Sequence, residues 1–423
     1  MTASTLIVRT LATQEEREQY CWLTEEAFYP SPTPEGARRH LHFFQTLPNH
    51  QPEQWRGVFL GGKLVGGCFI GSRLLRMGRA LLPTGCIGGV VTHPEYRKRG
   101  VAAALMQDAI RYSQTQRLAL LMLDGIADFY HRYGYIDVFD SEVQEVQRAA
   151  LLAHAPSAYT VRQATEGDAE PLLALYERQY NHYTGSFVRT LADQQHKLQH
   201  YGEDRLVILA SDSTGAPRGY ALLSRSKPER VAELAADDWE ATLALAQYHA
   251  RLFTNEGVPE ALRYRIPPQG AVTQRLIDRL SLPVDPKGEK SWVVRGEAIH
   301  YRRAGWMARP GHMFTLLEAV LPEWQSHWER MAERWTGVIR FEVGEEAFTL
   351  NLDEAGVYLS DQIVPGAEIV RLTPQAFMQL LFGYRPASYL LQETGQRVKG
   401  EVGDALHVLF PAYHTWIAPS DWF

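Results

Sequence analysis

The chain has 423 residues, enough for two or three domains at about 150 residues each. Hydrophobic residues make up 45% of the sequence and charged residues 22%, which excludes disorder over most of the chain. Its 43 basic and 49 acidic residues give a net charge of −6, whereas proteins that bind nucleic acid by neutralising phosphates are usually more basic. We therefore expect no nucleic-acid partner, and the mild excess of acid permits a cationic substrate.

The residues that could form a disulfide framework or a metal site are not arranged to do so. The three cysteines form no CxxC pair, and His40, His42 and His312 form no cluster with metal-ligand spacing. The N-terminus lacks the apolar core of a signal peptide, and the apolar run at 118–123 is too short to cross a bilayer. These features predict a cytoplasmic protein with no metal and no membrane partner.

The first 150 residues alternate between strand and helix patterns, which predicts a mixed α/β domain with a partly parallel sheet. The predicted elements, in chain order, are a strand at 6–9, a helix at 14–28, a loop at 29–34, a hairpin at 55–72, a strand at 87–92, a helix at 99–115, a strand at 118–123 and a short helix at 127–133.

The same pattern restarts in the middle of the chain. The sequence VRTLATQEE begins at Val8 and VRQATEGDA begins at Val161, and each precedes an amphipathic helical stretch. The hairpin at 55–72 has a counterpart at 205–224, and 231–250 again predicts a strand followed by a helix. We interpret this as a diverged tandem duplication with its boundary near 150–158.

The last part of the chain predicts a compact α+β domain. Its expected elements are a helix at 314–328, strand pairs at 337–352, a short helix at 374–381 and a short strand at 405–409. The chain ends in two large aromatic residues, which predicts that its end packs against the protein. The resulting domains are 1–150, a degenerate copy at 158–300, and 304–423.

The segment IGGVVTHPEYRKRGVAAAL, at 87–105, carries the clearest chemical signal. A strand leads into Arg97, Arg99, Gly100 and Ala102, and then a helix begins. Small residues allow a ligand to approach the backbone, and the N–H groups at the start of a helix bind phosphate. The segment lacks the glycine pattern of dinucleotide-binding folds and of P-loops. It predicts a phosphate cradle, with a solvated basic turn as the alternative.

This segment resembles motif A of the GNAT acetyltransferases, [QR]-x-x-G-x-[GA], which Arg97, Gly100 and Ala102 match. The preceding V-x-x-x-P-x-x-[RY] spacing also fits, through Val90 or Val91 and Pro94. The resemblance implies that acetyl-CoA binds here and that backbone groups of Val90 and Val91 hold the acetyl carbonyl and pantetheine. It implies pyrophosphate contacts from the turn that comprises Arg97, Lys98, Arg99, Gly100, Val101 and Ala102.

The sequence LMLDGIADFYHRYGY, at 121–135, resembles motif B of the same family, because Tyr130 stands four residues before Gly134. The resemblance implies that Tyr130 is the general acid near the thioester sulfur, since a phenol keeps its proton at neutral pH. Tyr133 is the alternative for this role, and a buried aromatic helix face is the structural alternative.

Taken whole, the chain resembles the Eis (enhanced intracellular survival) acetyltransferases, which have a duplicated GNAT core, a sterol-carrier-like domain and a terminal phenylalanine. The resemblance implies that the C-terminal carboxylate, here that of Phe423, acts as the general base. A purely structural role for Phe423 is the alternative. Asp421 would attract a cationic substrate or be solvated. The resemblance also implies a homo-oligomer, with a hexamer as one form.

Members of this family line the amine pocket with acidic and aromatic residues from the first helix and the loop after it. In this chain that region offers Glu25, Glu26 and Phe28 as substrate contacts, with a solvated helix end as the alternative. The second copy lacks the motif A pattern, and Asp237 and Asp238 stand where the phosphate cradle would lie. We therefore expect acetyl-CoA to bind in the first copy alone.

The sequence as a whole predicts an acetyl-CoA-dependent N-acetyltransferase that transfers the acetyl group directly, without a metal, to an amine. The expected acceptor is an aminoglycoside-like polyamine, another small amine or a lysine side chain. The alternatives are a protein N-acetyltransferase of the same fold and a non-catalytic protein that binds a lipid or acyl-CoA.

Overall fold

The computed structural model describes residues 5–201, 204–253, 259–281, 292–413 and 415–421. Within these ranges the strands, in chain order, are β1 (Ile7–Thr10), β2 (Trp55–Leu60), β3 (Lys63–Met77), β4 (Ala80–Thr92), β5 (Leu120–Gly125), β6 (Ile136–Asp137), β7 (Ser141–Gln147), β8 (Thr160–Gln163), β9 (Arg205–Ser211), β10 (Pro217–Ser224), β11 (Arg230–Ala236), β12 (Ala261–Tyr264), β13 (Val294–Ile299), β14 (Gly305–Pro310), β15 (Gly337–Val343), β16 (Glu346–Leu352), β17 (Val357–Ser360) and β18 (Glu368–Leu372).

The α-helices in the same ranges are α1 (Gln14–Phe28), α2 (Pro34–Gln45), α3 (Val101–Thr115), α4 (Arg148–Ala153), α5 (Ala169–Tyr180), α6 (Leu191–His200), α7 (Trp239–Arg251), α8 (Ala271–Arg279), α9 (Met313–Glu329), α10 (Pro374–Leu381), α11 (Ala387–Glu393) and α12 (Gly400–Leu409). Across the described ranges, no helix combines the length and the apolar character needed to span a bilayer.

Local sequence signals set the start of the first domain as predicted. Helix α1 begins after Thr13, whose side chain and that of Glu16 each accept the other's backbone N–H. The predicted hairpin is formed by β2 and β3, joined by Gly61 and Gly62 at φ of +58° and +83°. Glycine suits such a two-residue turn because both positions need a left-handed backbone.

The first two sheets share one topology, as a tandem duplication predicts. Their strand orders are β1-β2-β3-β4-β5-β14-β6 and β8-β9-β10-β11-β12-β7-β13. Each has one parallel pair at the same place, β4 with β5 and β11 with β12, and its other neighbours are antiparallel. The described part of the chain therefore contains two mixed α/β units of the same design.

Two strands join a sheet other than the one that their place in the sequence suggests. Strand β14 follows the second copy but lies between β5 and β6 in the first sheet. Strand β7 lies inside the predicted first domain, 1–150, yet pairs with β12 and β13 in the second sheet. The predicted domain boundaries at 150, 158 and 304 were placed by the order of elements along the chain. Hydrophobic patterning does not specify which sheet a strand joins, so it could not indicate these two crossings.

The third sheet, β17-β16-β15-β18, packs with helices α9 to α12 and forms an α+β unit. The predicted strand at 405–409 is wrong, because these residues belong to α12. Val402, Ala405, Leu406 and Leu409 are its buried residues, and this spacing places them on one face of a helix. Over only five residues, the apolar positions at 405–409 fit both the two-residue repeat of a strand and the 3.6-residue repeat of a helix.

The core of the third unit continues into the first sheet. Leu75, Met77 and Leu82, from β3 and β4, belong to the same buried cluster as Trp324 of α9. At the turn between these strands the backbone N–H of Arg79 donates to the Glu323 carboxylate at 2.7 Å. Helix α9 is thereby fixed to the β3–β4 hairpin.

Candidate functional site

Strands β4 and β5 of the first sheet run parallel but stay paired over a short stretch. Their register joins Thr84–Cys86 to Leu120–Met122. Beyond Cys86, β4 continues to Thr92 and remains paired with β3 on its other side. The edge of β4 that faces β5 therefore offers backbone N–H and C=O groups to a ligand over the stretch that contains Val90 and Val91.

A β-bulge lies in this part of β4. The register with β3 shifts between Gly67 and Phe69, and Gly89 has a left-handed φ of +59°. The Tyr20 hydroxyl of α1 donates to the carbonyl oxygen of Gly89 at 3.0 Å. Since a bulge bends its strand, this geometry turns β4 where its ladder with β5 has ended.

The turn after β4 leads into α3 through two left-handed residues, Lys98 at φ +60° and Gly100 at +84°. Gly100 is the N-cap residue of α3 and supplies no capping side chain. The first N–H groups of a helix lack intrahelical partners and carry the positive end of its dipole. Arg97, Lys98 and Arg99 are exposed around this helix start. The structure thus brings the predicted cradle residues together at an anion-binding position.

Tyr130 lies just beyond the end of β5. A Cβ placed on Gly125 would stand 2.9 Å from Cδ2 of Tyr130, so the ring packs against the last residue of that strand. Tyr130 is 8% exposed, and burial, with smaller contributions from Cys68 and Asp124, raises its pKa to about 12. The phenol is therefore protonated at physiological pH. The alternative, Tyr133, is half-buried in the same short 3₁₀ turn.

The corresponding helix start in the second copy is closed by its own side chain. Asp238 is the N-cap of α7, and its carboxylate accepts the backbone N–H of Ala241 at 2.8 Å. The Tyr159 hydroxyl donates to the same carboxylate at 2.9 Å. A negative group already fills the position where a phosphate would bind, so of these two helices α3 is the one open to an anion.

The predicted amine contacts lie at the end of α1 in different environments. Glu25 is 3% exposed, and its carboxylate accepts the N–H of Thr33 at 3.3 Å and lies 3.6 Å from Nδ1 of His40. It ties α1 to the start of α2. Glu26 and Phe28 are exposed, Phe28 by 57%. Contact between any of these residues and an amine stays a prediction.

Asp421 differs from both expectations, because it is neither solvated nor free to attract a substrate. It is 1% exposed and accepts from Arg189 Nη2 at 2.7 Å, Arg73 Nη2 at 2.8 Å and Lys197 Nζ at 2.5 Å. Burial alone would raise its pKa, but these cations outweigh burial and hold the pKa well below the usual range. Phe423, the predicted source of the general base, lies outside the described residues.

Sequence reasoning missed Arg73, Arg189, Lys197 and Glu233, which surround Asp421. Arg189 and Asp421 are separated by 232 residues, and Arg73 and Asp421 by 348. No local sequence pattern marks such partners. Arg189 is buried, and Arg73 and Lys197 are half-buried. Arg73 comes from the first sheet, the other three residues come from the second copy, and Asp421 itself lies in the C-terminal segment.

The Gly89 bulge gives a test of how Tyr20 fixes β4. We expect Gly89→Ala to lower the free energy of unfolding by about 3 kcal/mol, from left-handed strain plus overpacking. A Cβ at Gly89 would stand 2.3 Å from the buried Tyr20 hydroxyl. The matched control is Gly61→Ala, at nearly the same φ of +58° with nothing within 4 Å, and we expect a loss of about 1 kcal/mol. Urea unfolding measures both, and equal losses would show that Tyr20 does not constrain the bulge.

Residues 8–136 match the family model for the acetyltransferase (GNAT) domain. Over its full length the chain is similar to solved structures. A probable N-acyltransferase from Enterococcus faecalis V583 is 18% identical, with a TM-score of 0.77 and coverage of 99% of this chain and 100% of that one. A GCN5-related N-acetyltransferase from Kribbella flavida is 18% identical, with a TM-score of 0.71 and coverage of 100% and 99%.

Eis1 from Mycobacterium abscessus is also 18% identical, with a TM-score of 0.65 and coverage of 99% of this chain and 100% of that one. Among curated protein sequences, none is significantly similar to the chain. At these identities the solved structures show a shared fold that extends over all three sheets. The chain therefore contains a GNAT acetyltransferase domain, and this domain supports its assignment as an acyltransferase.

Proposed function

We propose that the protein is an acetyl-CoA-dependent N-acetyltransferase that transfers the acetyl group directly to an amine. The acceptor class is an aminoglycoside-like polyamine or a lysine side chain. One observation carries the proposal: within the segment that matches the GNAT domain, an open β4 edge leads through a turn to an uncapped helix start, and a buried, protonated phenol shares one hydrophobic cluster with Ile87 of β4 and Val101 of α3.

The position of acetyl-CoA follows from these features. The pyrophosphate binds at the start of α3, where N–H groups and the helix dipole favour negative charge and Arg97 and Arg99 add positive charge. The pantetheine arm, which carries amide groups, runs along the β4 edge as an added strand would. The thioester then lies between Val90 or Val91 and Tyr130, and a backbone N–H from β4 stabilises the oxyanion that develops on its carbonyl.

Each step of the transfer has an assigned proton donor or acceptor. The amine gives up a proton to a carboxylate, for which the α-carboxylate of Phe423 is our candidate. Its nitrogen attacks the thioester carbonyl, so that a C–N bond forms and the C–S bond breaks, and the nitrogen then releases its second proton to solvent. Tyr130 gives its proton to the departing thiolate and regains one from solvent. The raised pKa of Tyr130 suits this role, since the group must arrive protonated.

We extend the proposal to the remaining architecture. The α+β unit around β15–β18 serves as a sterol-carrier-like domain, and the second copy shapes the site without binding acetyl-CoA. The arrangement is that of the Eis acetyltransferases, and the fold shared with Eis1 over the full length supports it. A homo-oligomer in the cytoplasm completes the proposal, and size-exclusion chromatography with light scattering measures its state.

The activity is tested by thiol release from acetyl-CoA with untagged protein and a panel of aminoglycosides, small amines and a lysine peptide. We expect release that depends on the amine, and Tyr130→Phe should lower kcat by about 10²- to 10⁴-fold while the Kd for acetyl-CoA stays unchanged. Tyr133→Phe is the matched control and should retain kcat. Loss of activity in Tyr133→Phe but not in Tyr130→Phe would transfer the acid role to Tyr133.

A second prediction concerns the turn before α3. We expect Arg99→Ala to raise the KM for acetyl-CoA about tenfold and to leave kcat at saturation unchanged, because a hydrogen bond to a charged group contributes about 1.5 kcal/mol. Arg111→Ala, about three turns into α3, is exposed and serves as the control. Steady-state kinetics at low and high salt checks this, since salt screens the charge of Arg99 and should bring the KM values of wild type and Arg99→Ala closer together. An unchanged KM would place the pyrophosphate elsewhere.

A further inference from the structure

The last described segment, 415–421, contacts both copies of the α/β unit. The backbone N–H of Trp416 donates to the carbonyl of Thr184 at 2.9 Å, and its ring stacks on Tyr180 with centroids 4.4 Å apart. Thr184 and Tyr180 belong to the second copy. At the other end of the segment, the Asp421 carboxylate bonds to Arg73 of β3 in the first sheet.

A cluster of five charged residues, Arg73, Arg189, Lys197, Glu233 and Asp421, holds this end of the segment; we call it the ion cluster. The side chains of Arg189 and Asp421 are fully buried, and that of Glu233 is 1% exposed. Arg189 bridges the two acids, at 2.6 Å from Glu233 and 2.7 Å from Asp421. The Ser420 hydroxyl donates to the Glu233 carboxylate, and the Ser420 carbonyl oxygen accepts from Lys197 Nζ.

The ion cluster lies on one face of the first sheet, opposite α3. Arg73 pairs across the ladder with Thr84, and Cys86 follows on the same face. Cys86 shares a buried cluster with Leu75, whereas Ile87 and Ile70 point to the other face and pack with α3. Asp421 is therefore anchored on the face of the sheet opposite α3, and its charge acts on Cys86, the last residue of β4 that pairs with β5.

Such a cluster is an inefficient way to gain stability. Burial of charge carries a desolvation penalty that the ion pairs offset only when their geometry is good, and apolar side chains of similar volume often stabilise as well. The five charges do fix one position for the segment, because Asp421 accepts from three cations that approach from both copies. Fixed geometry matters most close to reacting groups, where a shift of about 1 Å can cost about 10²-fold in rate.

We propose that the ion cluster positions the C-terminal segment at the acyl-transfer site, so that Arg189, Lys197 and Glu233 of the second copy are positioning residues for a reaction in the first. This inference rests on the proposed function. It gives the second copy, whose helix start is closed to phosphate, a role in catalysis: it holds residues 415–421 against the sheet to which we assign acetyl-CoA binding.

The test compares Asp421→Asn with wild type in the full chain. We expect kcat to fall at least about tenfold, while the Kd for acetyl-CoA is unchanged. Carboxypeptidase digestion followed by mass spectrometry supplies a readout independent of activity: trimming should stop at or before Asp421 in wild type and proceed further in the variant. The control is Asp237→Asn, whose carboxylate pairs with Arg178 on the surface of the second copy and should change neither readout.

A second variant, Lys197→Met, keeps the test decisive should Asp421→Asn fold poorly, because it leaves Arg73 and Arg189 on the carboxylate. Wild-type kcat together with further trimming in either variant would overturn the proposal and leave the proposed function intact. A variant that loses acetyl-CoA binding together with kcat would also overturn the proposal, since the loss of both indicates that the substitution disrupts the fold as a whole. If wild type acetylates no amine, the proposed function and this inference both fail, while the digestion still shows whether the cluster holds the segment.

Discussion

Two parallel strands that pair over three residues and then part determine where the proposed acyl-transfer site lies in this protein. A parallel ladder normally continues until one strand ends, and its backbone groups are then satisfied. Here β4 outlasts its pairing with β5, and a bulge at Gly89, held by the Tyr20 hydroxyl, bends it. The unpaired edge leads to the open start of α3, and Tyr130 shares a buried cluster with Ile87 of β4 and Val101 of α3.

The two copies of the α/β unit show how one topology supports different tasks. The first keeps a glycine at the start of its long helix, and the second has an aspartate there, which converts an anion site into a capped helix. The second copy retains a complete sheet and a buried arginine that reaches the C-terminal segment. A capped helix start and a contact with the C-terminal segment are both compatible with the strand order that the two sheets share.

Most local structure was predictable from the sequence, because capping boxes, glycine turns and periodicity act over a few residues. Helix α1, the hairpin at Gly61 and Gly62, and the turn from Arg97 to Ala102 follow from such signals. The helix at 400–409 was not predicted, because its short apolar run fits the repeat of a strand as well as that of a helix. The environment of Asp421 was not accessible to pattern reasoning, since its partners lie 224 to 348 residues away in sequence and are selected by tertiary packing.

The exchange of β7 and β14 has a consequence for how the chain is made. During synthesis the first sheet is incomplete until β14 emerges, long after β5 and β6, and Arg309 at the end of β14 bonds to the carbonyl of Tyr133 across 176 residues. Contacts of such separation slow folding and leave strand edges exposed meanwhile. The first sheet therefore lacks the strand between β5 and β6 until the ribosome has translated the whole of the second unit. Folding of the first unit is thereby coupled to synthesis of the second.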